Sequence, residues 1–533
     1  MPDRHSCSPN KSDRNTTKTS IEELTGALRL PEAYPHKPES VDFGQTQMSL
    51  LFFAGEYVYK VKKPVNLGYL DYSTLDNRHR FCVREVELNR RLCADVYLGV
   101  VPIIRTAGTL MVEGTGDPVE YAVKMRRLPQ ERMLDGLLSR NLATAEMMEA
   151  IALKVAIFHE HSETDEDIST FGDLSTIRHN TDENFEQTAP NIGTTVTASN
   201  CDVIREYTDG FMQTHGPLFA QRVSDGRIKD CHGDLHSAHV CMTDAICIYD
   251  CIEFNDRFRY GDVASEVAFL AMDLDRHGRQ DLSTAFVNSY QRSSGDDALE
   301  DLIRFYKCYR AVVRGKVEGF KLADTLMPEK DKTNATWLAR KYYHLAAGYA
   351  RGSGMLIVMS GLTGSGKSTV ARALNGLLGC TIISADTVRK QLAGLPLDER
   401  HYDQFNEGLY TPERTQRTYD EMLAQATATL SAGGCAILDA SFLSARRRMD
   451  ARQVAAATGS RFLLVECVAP RELMMRRLSK RQAGTSTSDG RPEILNRQMQ
   501  SREPVVEFGN EERMTAATDQ DTITMVEQIW KRM

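Results

Sequence analysis

Apolar positions in the first third of the chain alternate with polar ones over short distances, as in half-buried strands. The segment 49–63 contains two such runs on either side of Gly55, which predicts two strands joined by a tight turn. Residues 100–104 and 120–125 are further short strand candidates. These patterns predict a small sheet near the N-terminus.

Other segments place apolar residues near a helical period and contain few strand formers. The clearest is 74–93, which lacks Gly and Pro. Similar patterns predict helices within 134–161, 263–274 and 298–322.

The last third of the chain alternates apolar strand candidates with helix-compatible segments. The strands are predicted at 355–359, 381–384, 436–438 and 462–466. Because consecutive strands separated by helices pair in parallel, this order predicts a three-layer α/β domain with a parallel sheet.

The length of 533 residues exceeds what one hydrophobic core supports. Residues 1–20 are polar and predict a disordered tail. A Gly/Ser-rich break predicts a linker at 348–354. The expected domains are therefore 21–347 and 355–533.

Composition excludes several classes of protein. The chain is 41% hydrophobic and 26% charged, which is typical of soluble globular proteins, and its net charge of −8 makes nucleic-acid binding unlikely. No apolar run approaches the ~18 residues of a membrane span, and the polar start predicts that a signal peptide is absent.

Twelve cysteines without a regular framework predict reduced thiols in a cytoplasmic protein. Its expected partners are small molecules. Oligomeric state is left open.

The segment GLTGSGKST fits the phosphate-binding pattern GxxxxGK[ST] and lies between a predicted strand and a predicted helix. Its glycines let backbone N–H groups surround phosphates, its lysine supplies a cation, and its serine offers a hydroxyl to Mg²⁺. A chance glycine-rich turn is the alternative, which the flanking elements disfavour. The predicted nucleotide-binding residues are Gly361, Thr363, Gly364, Ser365, Gly366, Lys367, Ser368 and Thr369.

Two acidic positions follow predicted strands of the same domain. Asp439 ends a strand, where it can hold Mg²⁺ or cap the next helix. Asp386 and Arg389 are three residues apart and share one face of a helical turn. The carboxylate can accept a hydroxyl proton while the guanidinium binds an anionic group; a helix cap with an exposed arginine is the alternative.

A basic helix is predicted between Arg471 and Arg481, before the Gly/Ser-rich segment 484–490. Such a segment can close over ATP and stabilise charge on the transferring phosphoryl group, with Arg477 as the candidate. A merely solvated helix is the alternative.

The N-terminal region contains CHGDLHSAH at 231–239, followed by IYDCIEFN at 248–255. Asp234 can orient or deprotonate an acceptor hydroxyl, and Asp250 can hold Mg²⁺. Zinc is an alternative that lacks the usual paired ligand spacing. Its candidate ligands are Cys231, His232, His236, His239 and Cys241. Cys247 and Cys251 are predicted to be buried small hydrophobic residues.

Residues 354–533, with GLTGSGKST, SADTVRKQLAG and ILDASFL, resemble the P-loop small-molecule kinases, which include zeta-toxin-like, gluconate-kinase-like and polynucleotide-kinase-like members. The resemblance implies ATP-dependent phosphorylation of a hydroxyl group. It also implies that Asp386 is the base and that Arg389 contacts the substrate.

Residues 41–345 resemble aminoglycoside phosphotransferases and choline kinases, which have a bilobal protein-kinase-like fold. The resemblance implies that Lys60 or Lys62 reaches the ATP phosphates and that Glu85 holds that lysine. One departure is His239, which replaces the metal-binding asparagine of the family. Imidazole is a poor ligand for Mg²⁺.

The resulting expectation is a fusion of two ATP- and Mg²⁺-dependent kinase modules that phosphorylate hydroxyl groups of small molecules. One alternative is that the N-terminal module only senses a ligand and regulates the C-terminal one, which His239 favours. A second is that the C-terminal module is a polynucleotide 5′-kinase, which the acidic net charge disfavours.

Overall fold

A computed structural model describes residues 19–325, 327–396, 408–431, 433–482 and 492–533. The predicted tail up to residue 18, the segment 484–490 and the side chain of Arg481 lie outside this description.

The strands match the predicted ones closely and add others that the patterns missed. Their bounds are β1 Val41–Gln45, β2 Ser49–Ala54, β3 Tyr57–Lys62, β4 Tyr97–Thr106, β5 Thr109–Val112, β6 Pro118–Arg126, β7 Ile228–Asp230, β8 Val240–Cys241, β9 Cys247–Ile248, β10 Tyr260–Asp262, β11 Met355–Ser360, β12 Thr381–Ser384, β13 Cys435–Asp439, β14 Arg461–Val468 and β15 Arg513–Ala517.

The four predicted helical regions are all helical. The helix bounds are α1 Ile21–Leu28, α2 Leu75–Cys93, α3 Leu134–Ser139, α4 Ala145–His161, α5 Glu166–Ser169, α6 Leu174–Thr188, α7 Ala198–Thr214, α8 Gly216–Ser224, α9 Val263–Arg276, α10 Gln280–Ser294, α11 Leu299–Phe320, α12 Glu329–Arg351, α13 Lys367–Leu378, α14 Ala385–Leu392, α15 Pro412–Ser431, α16 Ala445–Ala457, α17 Arg471–Gln482, α18 Pro492–Ser501 and α19 Thr522–Trp530.

The first of two compact units extends to Gly136 and also includes His232–Asp234 and Ala238–Arg259. Its main sheet is antiparallel, in the order β1-β2-β3-β6-β4-β5. The predicted hairpin is β2–β3, and Gly55 adopts φ 61° in its turn, where a side chain would be strained. Helix α2 packs on β4 and β6, which places its buried Glu85 near the sheet.

The second unit contains Leu137–Cys231, Leu235–Ser237 and Tyr260–Met533. Its first part is helical, and α11 packs against α9 and α12. Buried aromatic residues of α12, among them Tyr342 and Tyr343, belong to this helical core.

The second part of this unit is built on a parallel sheet with the order β12-β13-β11-β14-β15. Every residue of the central strand β11 is buried, because helices cover both faces of the sheet. The carboxyl ends of β11, β12 and β13 meet at one edge, so the loops that follow them are brought together.

Helix α12 belongs to both parts of the second unit. It extends to Arg351, so the first four residues of the predicted 348–354 linker are helical, and Gly352 ends the helix with φ 66°. Near its start, Trp337 packs against the core beside the parallel sheet. Arg340 lies 4.1 Å above the ring of Trp530 of α19.

The expectation that all cysteines are reduced thiols is wrong for four of them. Cys93 is joined to Cys247, and Cys380 is joined to Cys435. Each pair is distant in sequence but adjacent in space, which spacing alone does not reveal. Cys251 is buried and free, as predicted.

Across the described residues, every helix is either too short or too polar to cross a lipid bilayer.

Candidate functional site

In the first unit, two lysines of β3 share one carboxylate of α2. Lys60 and Lys62 are two positions apart, so their side chains leave the same face of the strand. Lys60 Nζ lies 2.8 Å from Glu85 Oε1, and Lys62 Nζ lies 2.6 Å from Glu85 Oε2. The sequence did not distinguish these lysines, but their other partners do.

Lys60 faces the candidate site, whereas Lys62 lies inside an ion-pair cluster. Lys60 Nζ is 2.7 Å from Asp250 Oδ1, and its side chain is 14% exposed. Lys62 is only 1% exposed, pairs with Glu253 and lies 3.3 Å from the hydroxyl of Tyr72. That hydroxyl donates to Glu253 at 2.6 Å. Lys62 therefore joins α2 to the segment that follows Asp250.

Opposite charges outweigh burial throughout this cluster. Burial lowers the pKa of Lys60, but Asp250 and Glu85 raise it well above its ordinary value. Burial likewise opposes the charge of Lys62, yet Glu253 and Glu85 raise its pKa. Burial raises the pKa of Glu85, whereas the two lysines bring it below its usual value. These groups are therefore charged at neutral pH.

The loop around Asp234 is held in place by backbone geometry. Gly233 has φ 87°, and a Cβ there would lie 2.7 Å from the carbonyl oxygen of Phe258, so the position requires glycine. Asp250 also has a positive φ of 63°, which costs about 1–3 kcal/mol in a residue with a side chain. Such strained residues are concentrated at functional sites.

His239 lies between Asp234, the predicted catalytic carboxylate, and Asp250, the predicted metal ligand. Its Nδ1 is 2.9 Å from the carbonyl oxygen of Asp234 and 3.5 Å from that residue's Oδ2. Its Nε2 is 3.5 Å from Asp250 Oδ2. Desolvation would raise the pKa of Asp250, but Lys60 and His239 bring it below its ordinary range. The structure therefore brings Lys60, Asp234, His239 and Asp250 together.

Four of the five candidate zinc ligands are engaged by main-chain carbonyls. His232 Nε2 is 3.0 Å from one carbonyl oxygen, His239 Nδ1 bonds to that of Asp234, and Cys241 Sγ donates to another at 3.7 Å. Their positions are explained without zinc. Cys231, which like His236 belongs to the second unit, donates its Sγ hydrogen to the carbonyl oxygen of Gly261 at 3.5 Å.

In the second unit, the segment 361–369 forms the loop after β11 and the first turn of α13. Gly364 and Gly366 have φ 78° and 93°, and a Cβ on Gly364 would lie 3.0 Å from the carbonyl oxygen of Met474. Lys367 Nζ donates to the carbonyls of Gly361 and Leu362 at 2.9 and 2.8 Å. The loop thus has the backbone and the cation that phosphate binding requires.

A cavity of about 600 Å³ opens beside this loop. It is lined by residues from the loop and from the elements that follow β12 and β13, including Lys367, Ser368, Asp386, Arg389, Asp439 and Arg447. The predicted phosphate, metal and acceptor residues therefore meet at one cavity.

The two acidic positions of this cavity have different surroundings. Burial raises the pKa of Asp439, while a hydrogen bond from Ser368 and the charge of Lys367 oppose this rise. Asp386 Oδ1 lies 3.1 Å from Arg389 Nη1, so the predicted pair exists. The oxygens of Ser368 and Asp439 are suited to Mg²⁺.

Arg389 is held in place but retains an unused donor. Its guanidinium lies 4.5 Å from the ring centroid of Tyr410, and its side chain is only 10% exposed. Its buried Nε has no hydrogen-bond partner among the described residues. Nearby, Arg447 lies 4.1 Å from the ring centroid of Tyr419.

The guanidinium of Arg477 contacts a main-chain carbonyl of the phosphate loop. Its Nη1 is 3.4 Å from the carbonyl oxygen of Gly364 and 3.0 Å from Thr518 Oγ1, and its Nη2 is 2.5 Å from the Thr518 carbonyl oxygen. It therefore braces the loop against the chain after β15.

The family described as an AAA domain matches residues 356–505. Over 457 residues, the chain is 33% identical to the uncharacterized proteins Rv2004c of Mycobacterium tuberculosis and Mb2027c of Mycobacterium bovis. The match covers 85% of this chain and 89% of each relative. The chain belongs to their family. The shared length spans both modules.

Two solved structures are similar to different shares of the chain. A choline/ethanolamine kinase family protein from Mesorhizobium loti is 12% identical and covers 62% of this chain and 99% of its own, with a TM-score of 0.37. A gluconokinase from Sinorhizobium meliloti is 20% identical and covers 33% of this chain and 89% of its own, with a TM-score of 0.24.

The predicted fusion and fold class are confirmed. The C-terminal module matches the AAA domain model over 356–505 and contains the predicted parallel sheet, and the N-terminal module contains the predicted hairpin β2–β3 followed by helix α2.

Sequence reasoning missed several residues that complete these sites. Tyr72 and Glu253 surround Lys62, Thr518 holds Arg477, and Tyr410 packs on Arg389. Only Glu253 had a signal, because it lies three residues after Asp250 in an apolar segment. The others carry no spacing that relates them to their partners.

Proposed function

We propose that each module transfers the γ-phosphoryl group of ATP to a hydroxyl group of a small molecule. The observation that best supports this function is the convergence, at one cavity, of the phosphate loop, the Ser368–Asp439 oxygens and the Asp386–Arg389 pair. A cytoplasmic location, where ATP, Mg²⁺ and small acceptors are available, is part of the proposal.

In the C-terminal module, backbone N–H groups of 361–369 bind the phosphates, and Lys367 moves its ammonium from the loop carbonyls to the outer phosphates. Ser368 and Asp439 would hold Mg²⁺, which would neutralise charge on the phosphates. Arg477 keeps Gly364 in its binding conformation.

Asp386 accepts the proton of the acceptor hydroxyl as the hydroxyl oxygen bonds to the γ-phosphorus, and the bond from that phosphorus to the β–γ bridging oxygen breaks to release ADP. Arg389 orients this carboxylate through Nη1 and has its Nε available for an anionic group of the acceptor. The cavity volume is sufficient for a metabolite-sized acceptor next to the phosphates.

In the N-terminal module, Lys60 contacts the phosphates and Glu85 fixes that lysine. Asp234 orients or deprotonates the acceptor hydroxyl, and Asp250 binds the divalent cation. Lys60 already bridges Glu85 and Asp250, so the phosphate and metal positions are adjacent.

The test is transfer from γ-labelled ATP to a panel of small hydroxyl compounds by the full-length protein. Lys367→Ala is expected to reduce one set of transfers and Asp234→Asn another, each by roughly 10²–10⁴-fold, because each removes a group that acts in the transition state.

Matched controls are Lys330→Ala and Asp297→Asn, which change exposed residues of the same types. Both should retain all transfers. If neither Lys367→Ala nor Asp234→Asn alters ATP turnover with any acceptor, the proposal fails.

A second candidate is that the N-terminal module binds a ligand and regulates the C-terminal kinase. It is favoured by His239 at the metal-binding position. In that case Asp234→Asn would leave every transfer intact, while a ligand of the first module would still change C-terminal turnover.

A further inference from the structure

The imidazole of His239 is fixed with one nitrogen directed at Asp250. Its Nδ1 lies 2.9 Å from the carbonyl oxygen of Asp234. A carbonyl oxygen only accepts hydrogen bonds, so Nδ1 carries the hydrogen, and a neutral ring then has its lone pair on Nε2. A metal-binding histidine is commonly oriented in this way by a carbonyl on its other nitrogen.

The Nε2 atom and Asp250 Oδ2 are 3.5 Å apart. With a neutral ring both atoms are acceptors, and a metal cation bound by both would account for this approach; a proton on Nε2 is the alternative that the test below separates. Two ligands bound at about 2.0–2.2 Å around one ion are separated by roughly 3.0–3.5 Å. The observed distance suits a shared metal ion.

The surrounding charges also suit a cation. Lys60 pairs with Asp250 Oδ1, which leaves Oδ2 directed at His239. Asp234 adds a second carboxylate 3.5 Å from the ring. One ammonium and two carboxylates face the imidazole, so a bound divalent ion meets a local negative charge.

We propose that His239 Nε2 and Asp250 Oδ2 form a nitrogen–oxygen site for a divalent first-row transition-metal ion, which accompanies the nucleotide in the N-terminal module in place of Mg²⁺. This assignment rests on the proposed function of that module. Imidazole is a good ligand for such ions, whereas Mg²⁺ prefers an all-oxygen shell. The substitution of histidine for asparagine therefore changes which metal is bound.

The test uses Mn²⁺, which binds more weakly than the other ions of this series and is detected by electron paramagnetic resonance. The full-length protein is loaded with Mn²⁺ and the methylene analogue AMP-PCP, and nitrogen coupling to the metal is measured. The variant is His239→Asn, and the control is His161→Asn, which removes an exposed histidine of α4. The donors identified for the C-terminal metal, Ser368 and Asp439, are oxygens.

Wild type and His161→Asn should show imidazole nitrogen coupling, and His239→Asn should lose it. In competition with Mg²⁺, His239→Asn should lower the preference for Mn²⁺ by about tenfold or more. Circular dichroism confirms that the variant is folded.

Absence of nitrogen coupling in wild type, its persistence in His239→Asn, or an unchanged metal preference would overturn the assignment. If His239 is protonated at Nε2, it cannot bind the metal, and the wild type shows no nitrogen coupling. If the coupling behaves as expected but the module transfers no phosphate to any acceptor, the metal assignment stands and the proposed function of the module fails.

Discussion

At the scale of single residues, the two lysines of β3 have separate tasks although they share Glu85. Lys60 reaches Asp250 and is partly exposed, while Lys62 is enclosed by Glu85, Glu253 and Tyr72. The partner that each lysine has besides Glu85 suggests its role. Asp250 connects Lys60 with the candidate site, and Glu253 connects Lys62 with the buried ion-pair cluster.

We expect Lys62→Met to destabilise the first unit by about 3–5 kcal/mol, because it leaves the buried carboxylate of Glu253 without its cation. Lys60→Met should cost less stability, since Lys62 still neutralises Glu85, but should abolish N-terminal phosphate transfer. Urea unfolding and transfer assays measure the two effects. Equal losses of stability would contradict the division of roles.

At the scale of elements, the end of α12 places His344 near the amino ends of β12 and β13. The ring lies close to Cys380 and Cys435, the disulfide that joins the starts of those strands. Burial, assisted by Arg351 and Arg461, lowers the pKa of His344 from 6.5 to about 4. The helix end is therefore sensitive to acid.

Stability should fall as the pH is lowered from about 6.5 to about 4. In this range the unfolded chain protonates His344 but the folded chain does not, so protons favour unfolding. The shift corresponds to at most about 3 kcal/mol. His344→Gln should show a shallower decline of melting temperature between these pH values; an identical decline would show that other groups cause it.

Sequence patterns predicted elements well where periodicity was strong and local. The β2–β3 hairpin, α2 and the first four parallel strands lie where they were expected. Strand β15, with the sequence RMTAA, was missed because its residues have no clear alternation. Its place at the sheet edge follows from pairing with β14, which is a tertiary effect.

The same limit applies to the sites. The motif GLTGSGKST and the pair Asp386–Arg389 could be recognised because their residues are neighbours in sequence. The bond between Lys60 and Asp250 joins residues 190 positions apart, and the choice between Lys60 and Lys62 depends on it. Local sequence carries no information about such pairs.

At the scale of the whole molecule, both tryptophans of the chain lie where α12 meets the C-terminal module. Trp337 packs on the core beside the parallel sheet, and Trp530 lies under Arg340. Intrinsic tryptophan fluorescence therefore reports on this junction alone.

We expect AMP-PCP with Mg²⁺ to raise the temperature of the unfolding transition seen by tryptophan fluorescence, because ligand binds only the folded loop. At 100 times its Kd, the stabilisation is about 2.7 kcal/mol. Lys367→Ala should remove the shift and Lys330→Ala should keep it. An unmoved transition in the wild type would contradict nucleotide binding at this loop.

Because α12 contributes to the cores on both of its sides, a cut on either side of the helix exposes apolar surface. An N-terminal fragment that ends before α12 lacks Tyr342 and Tyr343, which pack in the helical core. An N-terminal fragment that includes α12 lacks the core against which Trp337 packs, so that side chain is exposed to water. A substitution in α12 is therefore expected to affect the packing of both modules.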